Sequence, residues 1–394
     1  MPKKVIMKGN EAVALAMRQI NPNVVAAYPI TPQTEIVQIF SSFVSDELVD
    51  TEFVTVESEH SAMSASIGAS AAGARAMTAT SANGLAFMWE VIYIAASLRL
   101  PIVMAVVNRA LSGPINIHCD HSDSMGARDS GWIQIYSENA QEAYDNMIQG
   151  IRIAEHEDLK LPVMVTMDGF IISHAMENLM VLEDDKVEDF IGEYKPQYPL
   201  LDIENPVTYG PLDLYDFYFE HKRQQAEAMR IAGRIIKNVA DDYEKLSGRS
   251  YGLVEPYYLE DAKVALVVLG STAGTAKACV DELRLEGKKV GLLKIRVFRP
   301  FPYDEIIEAL KGLKVVAIMD RSDSFSSFGG PVFNEVRSAI LSLERPPITL
   351  SYIYGLGGRD VNLKDILGLY HDLEEIVFSG EPGEVLRYLG VRES

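Results

Sequence analysis

Charged and small polar side chains recur at one kind of position in the first 170 residues, directly after an apolar run. Glu57 and Glu59 follow the run EFVTV, and Asn108 and Arg109 follow the run PIVMAVV. A carboxylate at such a position could exchange a proton or a hydrogen bond with a heterocycle, and an arginine could bind a substrate carboxylate through two parallel hydrogen bonds. The purely structural interpretations are a surface carboxylate near a helix N-terminus and a structural ion pair.

Two further loops have the form of a helix start. In YPITP (28–32), Thr31 is a suitable N-cap and Pro32 a suitable first helical residue, so free backbone N–H groups there would favour an anion. In SANGL (81–85), Ser81 could cap a helix and Gly84 would allow another group to approach closely. Taken alone, either motif could be purely structural.

Two more motifs contain residue types that bind ligands in other proteins, but we expect both to be structural here. HCDH (118–121) contains metal-binding residue types, but four adjacent residues converge poorly on one ion and no second ligand cluster stands out, so we expect no metal site. GSTAG (270–274) follows an apolar run and opens a helical pattern, yet it is not GxGxxG. We therefore predict a close strand-to-helix turn there rather than a phosphate site.

The elements that position these residues are predicted to form a parallel α/β sheet, because apolar runs alternate with helix-length segments up to about Phe170. The runs are VVAAYPI, EFVTV, AMTATS, PIVMAVV and LPVMVTM. Ligands bind at the carboxyl ends of the strands in such sheets. The loops YPITP, ESEH, SANG, NRALSGP and MDG should therefore meet at one edge.

The chain is predicted to contain two domains. The first covers 1–245, with an acidic, proline-containing connecting excursion at about 176–216 and then a helix from about Tyr218 to Leu246. The alternation resumes near Ala262, which predicts a second, smaller α/β domain at 260–390.

Composition excludes several classes of protein. The 394 residues carry a formal net charge of −20 without a basic stripe, which argues against nucleic acid and polyanionic membrane surfaces as partners. We find no apolar run of the roughly 18 residues that a membrane helix needs, and no signal peptide. The two cysteines, Cys119 and Cys279, suit a reducing cytoplasm and cannot supply the four thiolates of an ordinary iron–sulfur cluster.

Several of these motifs together resemble the α chain of the 2-oxoacid:ferredoxin oxidoreductase family, and most closely its multi-chain pyruvate:ferredoxin oxidoreductases. The motifs are YPITP (28–32), SEHSAMSA (58–65), ATSANGL (79–85), NRALSGPINI (108–117) and DSGWIQ (129–134), followed by GSTAGTAK, FRPFP and YGLGGRD in the second predicted domain. The resemblance implies a transketolase-like pyrimidine-binding domain for thiamine diphosphate, followed by a transketolase C-terminal-like domain.

The resemblance also implies roles for individual residues. Glu59 takes the position of the glutamate that hydrogen-bonds the aminopyrimidine ring of thiamine diphosphate and promotes deprotonation of its thiazolium carbon. Thr31 and Arg109 take the positions of the substrate-carboxylate ligands. The further expected contacts are Asn116 for the substrate, and Tyr28, Pro29, Ile30, Ser81 and Asn83 for the cofactor.

The family's diphosphate-and-magnesium signature contains GDG, which does not occur in this sequence. The resemblance therefore implies that a partner β chain supplies Mg²⁺ and the diphosphate half of the site. It places [4Fe-4S] clusters on the β chain and on a ferredoxin-like δ chain, with a γ chain completing a heterotetramer.

The expected reaction is the reversible oxidative decarboxylation of pyruvate to acetyl-CoA and CO₂, in the pyruvate metabolism of an anaerobe, with coenzyme A as co-substrate and ferredoxin as electron acceptor. The same chemistry could act instead on 2-oxoglutarate, a branched-chain or another 2-oxoacid, although Thr31 beside a single arginine suits a monocarboxylate. A non-catalytic scaffold chain is a different class of function, and intact Glu59, Thr31 and Arg109 argue against it. A nicotinamide dehydrogenase is a third possibility, and its glycine fingerprint is missing.

Overall fold

The structure is a computed structural model that describes residues 3–392. It contains two large, mainly parallel sheets and one small antiparallel sheet. The strands, in chain order, are β1 (Lys3–Lys8), β2 (Val24–Ala27), β3 (Glu52–Thr55), β4 (Ala76–Thr80), β5 (Val103–Asn108), β6 (Ile133–Tyr136), β7 (Val163–Asp168), β8 (Met176–Val181), β9 (Val254–Tyr257), β10 (Val264–Val268), β11 (Val290–Ile295), β12 (Val297–Arg299), β13 (Val315–Asp320), β14 (Ile348–Tyr354) and β15 (Leu386–Leu389).

Helices cover the faces of both large sheets. In chain order they are α1 (Gly9–Ile20), α2 (Thr34–Ser45), α3 (Glu59–Ala71), α4 (Ala82–Phe87), α5 (Trp89–Ser97), α6 (Ser122–Gly126), α7 (Ala140–Ala154), α8 (Asp184–Ile191), α9 (Tyr218–Ser247), α10 (Thr272–Leu285), α11 (Tyr303–Leu310), α12 (Pro331–Ile340) and α13 (Leu363–Ser379). Within 3–392, none of these helices is long and apolar enough to cross a membrane.

The first sheet has the strand order β12-β6-β7-β5-β4-β2-β3. All of its pairings are parallel except that between β12 and β6. The five apolar runs become β2, β3, β4, β5 and β7, which confirms the predicted parallel α/β fold. Every residue of β4, β5 and β7 is buried. Fully burying one large aliphatic side chain contributes about 1.5–3 kcal/mol, so this central group of strands forms a rigid base for the loops that follow it.

The second sheet has the order β15-β14-β13-β10-β11-β9, with β9 antiparallel and the remaining strands parallel. The predicted division at 245–260 does not separate the two sheets fully, because β12 lies in the second range and pairs with β6 of the first sheet. The first sheet therefore contains one strand, β12, from the second predicted domain.

The predicted connecting excursion at 176–216 is more regular than its composition suggests. It begins with β8, which pairs antiparallel with β1, and continues with α8. Leu179 of β8 and Val187 of α8 are fully buried in the core of the first sheet. From 192 to 217 the backbone forms no helix or strand and is mostly exposed. The long helix predicted from about Tyr218 is α9.

Candidate active site

The loops after β2, β4, β5 and β7 meet at the carboxyl edge of the first sheet. Arg109, directly after β5, donates from Nη1 to the carbonyl oxygen of Thr31, after β2 (2.8 Å). Gly169, directly after β7, donates its N–H to the carbonyl oxygen of Asn108 (3.1 Å). A Cβ atom on Gly169 would lie 2.4 Å from that oxygen, so the two loops touch through their backbones. These contacts bring the loops after β2, β5 and β7 together at one edge, as predicted.

The YPITP loop does not start a helix where the sequence suggested. Thr31 and Pro32 lie in a turn, and α2 begins at Thr34, so the predicted capping role of Thr31 is wrong. Buried Gln33 explains the difference, because its side chain accepts from Ile30 N (3.2 Å) and donates to the carbonyl oxygen of Ala79 on β4 (2.9 Å). These bonds hold the turn against the sheet.

The side chains of this loop face different surroundings. Tyr28 and Ile30 are half-buried, whereas Pro29 and Thr31 are exposed at the surface of this chain. The Thr31 hydroxyl is therefore open to a ligand or a partner.

Glu59 is the first residue of α3, behind an N-cap in which the Ser58 hydroxyl accepts from Ser61 N (3.2 Å). Its exposed fraction is 7%, and its carboxylate has no hydrogen-bond or ion-pair partner in the described part of the chain. The partial positive charge of a helix N-terminus suits an acidic side chain. By contrast, Glu57 accepts a hydrogen bond from the Ser61 hydroxyl, which lowers the pKa of Glu57. Glu59 is thus the glutamate whose hydrogen-bonding capacity is unused.

The backbone of Gly84 lies directly against Glu59. A Cβ atom on Gly84 would lie 2.4 Å from Thr80 Oγ1 and 2.8 Å from Glu59 Oε1, distances that no side chain tolerates. The Thr80 hydroxyl is buried and has no partner of its own in residues 3–392. The close approach expected of Gly84 is therefore present, and it leaves a cradle with an unpaired carboxylate at its side.

Ser81 and Asn83 join neighbouring loops. Ser81 occupies the N-cap position of α4 but does not cap it, since its buried hydroxyl donates to the carbonyl oxygen of Val107 on β5 (2.7 Å). Asn83 is exposed, and its Oδ1 accepts from Ser112 N (3.0 Å). Both side chains thus tie the loop after β4 to β5 and the loop that follows it.

Arg109 is 8% exposed and has no acidic partner among the residues described. Besides the bond to Thr31, its Nε donates to the carbonyl oxygen of Asn116 (3.0 Å). Two carbonyl groups therefore orient the guanidinium group, and its Nη2 hydrogens are not used by the described chain. The described residues thus supply no acidic partner for a structural ion pair, and the free edge of the guanidinium can receive an anion.

The Asn116 side chain links the loop after β5 to the turn after β14 of the second sheet. Its Nδ2 donates to the carbonyl oxygen of Gly357, after β14 (3.0 Å), and its Oδ1 accepts from His118 N (2.7 Å). Asn116 therefore connects the loop after β5 to the second sheet.

Asp123, at the start of α6, is a site residue that the sequence patterns did not indicate. Its buried carboxylate accepts from Ala82 N (3.0 Å), Arg109 N (3.0 Å) and Asn108 Nδ2 (2.8 Å). Burial raises the pKa of Asp123 to about 6, although these hydrogen bonds act in the opposite direction. One carboxylate thereby fixes the ends of both β4 and β5.

The HCDH motif contributes to a buried cluster rather than to four adjacent ligands. Cys119, His121 and Asp168 place ligand-type atoms within 4.8 Å of one another, and Asp168 comes from the end of β7. His121 Nε2 lies 2.7 Å from one Asp168 oxygen, and Arg321 Nη1 donates to the second oxygen (3.0 Å). Arg321, which directly follows β13 of the second sheet, thus places its guanidinium beside this carboxylate.

The GSTAG turn faces the same carboxylate. Ser271 donates to Asp168 from its backbone N–H (3.1 Å) and from its hydroxyl. Gly270 has φ of +64°, and a Cβ atom there would lie 3.0 Å from Asp168. The turn is a close strand-to-helix connection that binds a carboxylate of this chain.

Known proteins resemble the chain over nearly its full length. A family model described as pyruvate flavodoxin/ferredoxin oxidoreductase, thiamine diphosphate-binding, matches residues 15–241, and one described as pyruvate:ferredoxin oxidoreductase core domain II matches 262–366. Pyruvate synthase subunit PorA of Thermotoga maritima is 58% identical over 99% of both chains. PorA of Methanocaldococcus jannaschii is 46% identical over 94% of this chain and 95% of that protein. Ketoisovalerate oxidoreductase subunit VorA of Pyrococcus horikoshii is 42% identical over 96% of both.

Two solved structures share the fold. A 2-oxoglutarate:ferredoxin oxidoreductase from Magnetococcus marinus has a TM-score of 0.74 at 21% identity, over 95% of this chain and 66% of that one. A split-gene transketolase has a TM-score of 0.54 at 12% identity, over 93% of this chain and 98% of that one. With the family models matching most of its length, the chain belongs to the pyruvate flavodoxin/ferredoxin oxidoreductase family, and its first matched region is a thiamine-diphosphate-binding domain.

Proposed function

We propose that this chain is the α chain of a pyruvate:ferredoxin oxidoreductase, which oxidatively decarboxylates pyruvate to acetyl-CoA and CO₂ and passes electrons to ferredoxin, reversibly. The observation that carries the proposal is the similarity to pyruvate synthase subunits over the whole chain. The unpaired Glu59 carboxylate and the free edge of Arg109 at the same sheet edge support it.

The residues around Glu59 fit the aminopyrimidine of thiamine diphosphate. When bound, this cofactor supplies a carbon nucleophile that can add to a keto group and stabilise the charge left by decarboxylation. Glu59 would accept a hydrogen bond from the pyrimidine ring, because no group of the described chain occupies its carboxylate. Gly84 keeps the adjacent space free of a side chain. Tyr28, Pro29 and Ile30 would line the neighbouring wall, with Ser81 and Asn83 holding the loop after β4 in place.

Thr31 and Arg109 would bind the carboxylate of the 2-oxoacid. The Arg109 guanidinium is already oriented by two carbonyl oxygens, so it loses little conformational freedom when the substrate binds. The exposed Thr31 hydroxyl can donate a further hydrogen bond. One arginine and one hydroxyl match one carboxylate, which favours a monocarboxylic 2-oxoacid over 2-oxoglutarate.

Partner chains would complete the enzyme. The sequence has no GDG and only two cysteines, both buried and unpaired. A β chain would therefore supply Mg²⁺ and the diphosphate half of the site, and the β and ferredoxin-like δ chains would hold [4Fe-4S] clusters, with a γ chain in the same complex. Coenzyme A would accept the acyl group. Reduced, buried thiols are consistent with a cytoplasmic location.

A branched-chain 2-oxoacid is the second candidate substrate, because VorA is also similar over nearly the whole chain. The PorA proteins of Thermotoga maritima and Methanocaldococcus jannaschii share more identical residues with this chain, which favours pyruvate.

The test is to purify the complete complex, measure its thiamine diphosphate and iron, and compare kcat/KM for pyruvate, 2-oxoisovalerate and 2-oxoglutarate with coenzyme A and ferredoxin present. We expect bound cofactor, bound iron and a preference for pyruvate. A preference for 2-oxoisovalerate would favour the second candidate, and absence of cofactor with no turnover of any 2-oxoacid would contradict the whole assignment.

A further inference from the structure

The loop between β5 and α6, residues 109–121, presents Arg109 and is hydrogen-bonded to the turn that follows β14 of the second sheet. It contains no helix or strand. Arg109 Nε donates a hydrogen bond to the carbonyl oxygen of Asn116, seven residues further along the same loop. The direction of the guanidinium therefore depends on where the Asn116 backbone lies.

A turn at the carboxyl end of β14, residues 355–358, holds that position. The carbonyl oxygen of Gly357 accepts from Asn116 Nδ2 (3.0 Å), and the N–H of Gly357 donates to Asp120 Oδ2 (3.1 Å). One peptide group on each side of Gly357 thus binds the loop at two points four residues apart.

The turn and the loop are too close for a side chain. Gly357 has φ of +58° and Gly358 has φ of +80°, a backbone region that glycine adopts without strain. A Cβ atom on Gly357 would lie 2.4 Å from Asn116 Nδ2, and one on Gly358 would lie 2.4 Å from His118 Cβ. A larger residue at 357 would displace the Asn116 amide from its hydrogen bond, and one at 358 would clash with the Cβ atom of His118.

We propose that the turn at 355–358 is a positioning element for substrate binding, which acts through Asn116 to orient the Arg109 guanidinium towards the 2-oxoacid carboxylate. This inference rests on the proposed function of Arg109. It makes Gly357 a positioning residue and gives Asn116 a positioning role in place of the substrate contact expected from the sequence. Asn116 touches Arg109 through its carbonyl oxygen, and both polar atoms of its side chain are engaged within the described chain. The second sheet then contributes to substrate affinity without a residue that contacts substrate.

The test is steady-state kinetics of the complete complex carrying Gly357→Ala. We expect KM for pyruvate to rise about 5- to 30-fold, the scale of one or two lost neutral hydrogen bonds, with kcat within about twofold and thiamine diphosphate content unchanged. Gly312→Ala is the matched control, because Gly312 also has positive φ (+85°) and a Cβ atom there would meet nothing within 4 Å. Gly312→Ala therefore introduces the backbone strain of a positive φ without a steric clash, and it should leave KM unchanged.

A double-mutant cycle with Arg109→Lys tests whether the effect passes through Arg109. We expect Gly357→Ala to change KM by less than about twofold in the Arg109→Lys background, since the geometry it disturbs is already lost. An unchanged KM in the single variant, a rise equal to that of Gly312→Ala, or a full additive rise in the double variant would overturn the proposal. If Gly357→Ala does not assemble, Asn116→Ala carries the same test. Turnover of pyruvate by the wild-type complex separates a failure of this inference from a failure of the proposed function.

Discussion

Replacing Glu59 with glutamine separates a chemical role for this residue from a structural one. Glutamine keeps the size and the acceptor oxygen but cannot take up or release a proton. Because the carboxylate has no partner within residues 3–392, the substitution removes no intramolecular hydrogen bond or ion pair. An unpaired carboxylate at 7% exposure is itself unfavourable. We therefore expect the melting temperature of the assembled variant to stay within about 2 °C of wild type or to rise.

Activity should respond very differently from stability. A proton-transfer role contributes about 10²- to 10⁴-fold to the rate, so kcat with pyruvate should fall at least about 100-fold, or about 2.7 kcal/mol in activation free energy. Reduction of ferredoxin by the purified complex, followed by absorbance, measures this. Glu57→Gln is the matched control, because Glu57 lies two residues earlier, is exposed to solvent and is bonded to Ser61; it should keep turnover within about twofold. An assembled Glu59→Gln enzyme with near-normal kcat would refute the assignment.

Three further results follow from the structure. Arg109→Lys keeps the charge but loses the fork geometry, so kcat/KM for pyruvate should fall about 10- to 150-fold, the scale of one charge-assisted hydrogen bond, while cofactor content stays constant; an unchanged value with a lowered melting temperature would argue for a structural role. Asp168→Asn leaves the buried Arg321 charge without its partner and should destabilise the chain by about 3–5 kcal/mol in thermal or denaturant unfolding. Burial would raise the pKa of Asp168, but His121 and Arg321 outweigh it and hold this pKa well below its usual range. The stabilisation is therefore fully present above the unfolded pKa of about 3.9 and is lost progressively as the pH falls from there towards the lower folded pKa. The difference in stability between wild type and Asp168→Asn should begin to shrink below about pH 4. The isolated chain should bind thiamine diphosphate with magnesium only weakly in calorimetry, since no diphosphate signature is present, and sub-micromolar binding would contradict the split site.

The core of the first sheet could be predicted because its strands are buried on both faces. Such strands appear in a sequence as continuous apolar runs. Every residue of β4, β5 and β7 is buried. Their order along the chain then predicts that the loops at their carboxyl ends share an edge. β6 could not be found in this way, because Gln134 interrupts its apolar run. β12 has three residues and reaches the first sheet from far along the chain.

The details of the site depend on contacts that local sequence does not record. Thr31–Pro32 has the local chemistry of a helix start, yet buried Gln33 binds the carbonyl oxygen of Ala79 and delays α2 until Thr34. Asp123 resembles an ordinary acidic residue in a polar stretch. Only the fold shows that it accepts two backbone N–H groups from the ends of β4 and β5. In both places the role of the residue is decided by a hydrogen bond to a distant part of the chain, which the local sequence does not show.

The HCDH motif shows that the residues that act together in this chain are not neighbours in its sequence. Four neighbouring residues cannot surround an ion, but the fold brings Asp168 from 47 residues away to His121, and Arg321 from 202 residues away to Cys119. Arg321 directly follows β13, so its contacts with Asp168 and with the N–H of His121 also attach the second sheet to the end of the 109–121 loop. Asp123 fixes the start of the same loop to the first sheet. The proposed substrate arginine is thus oriented by both sheets, so a change in how they pack should alter substrate affinity before it alters the cofactor residues around Glu59.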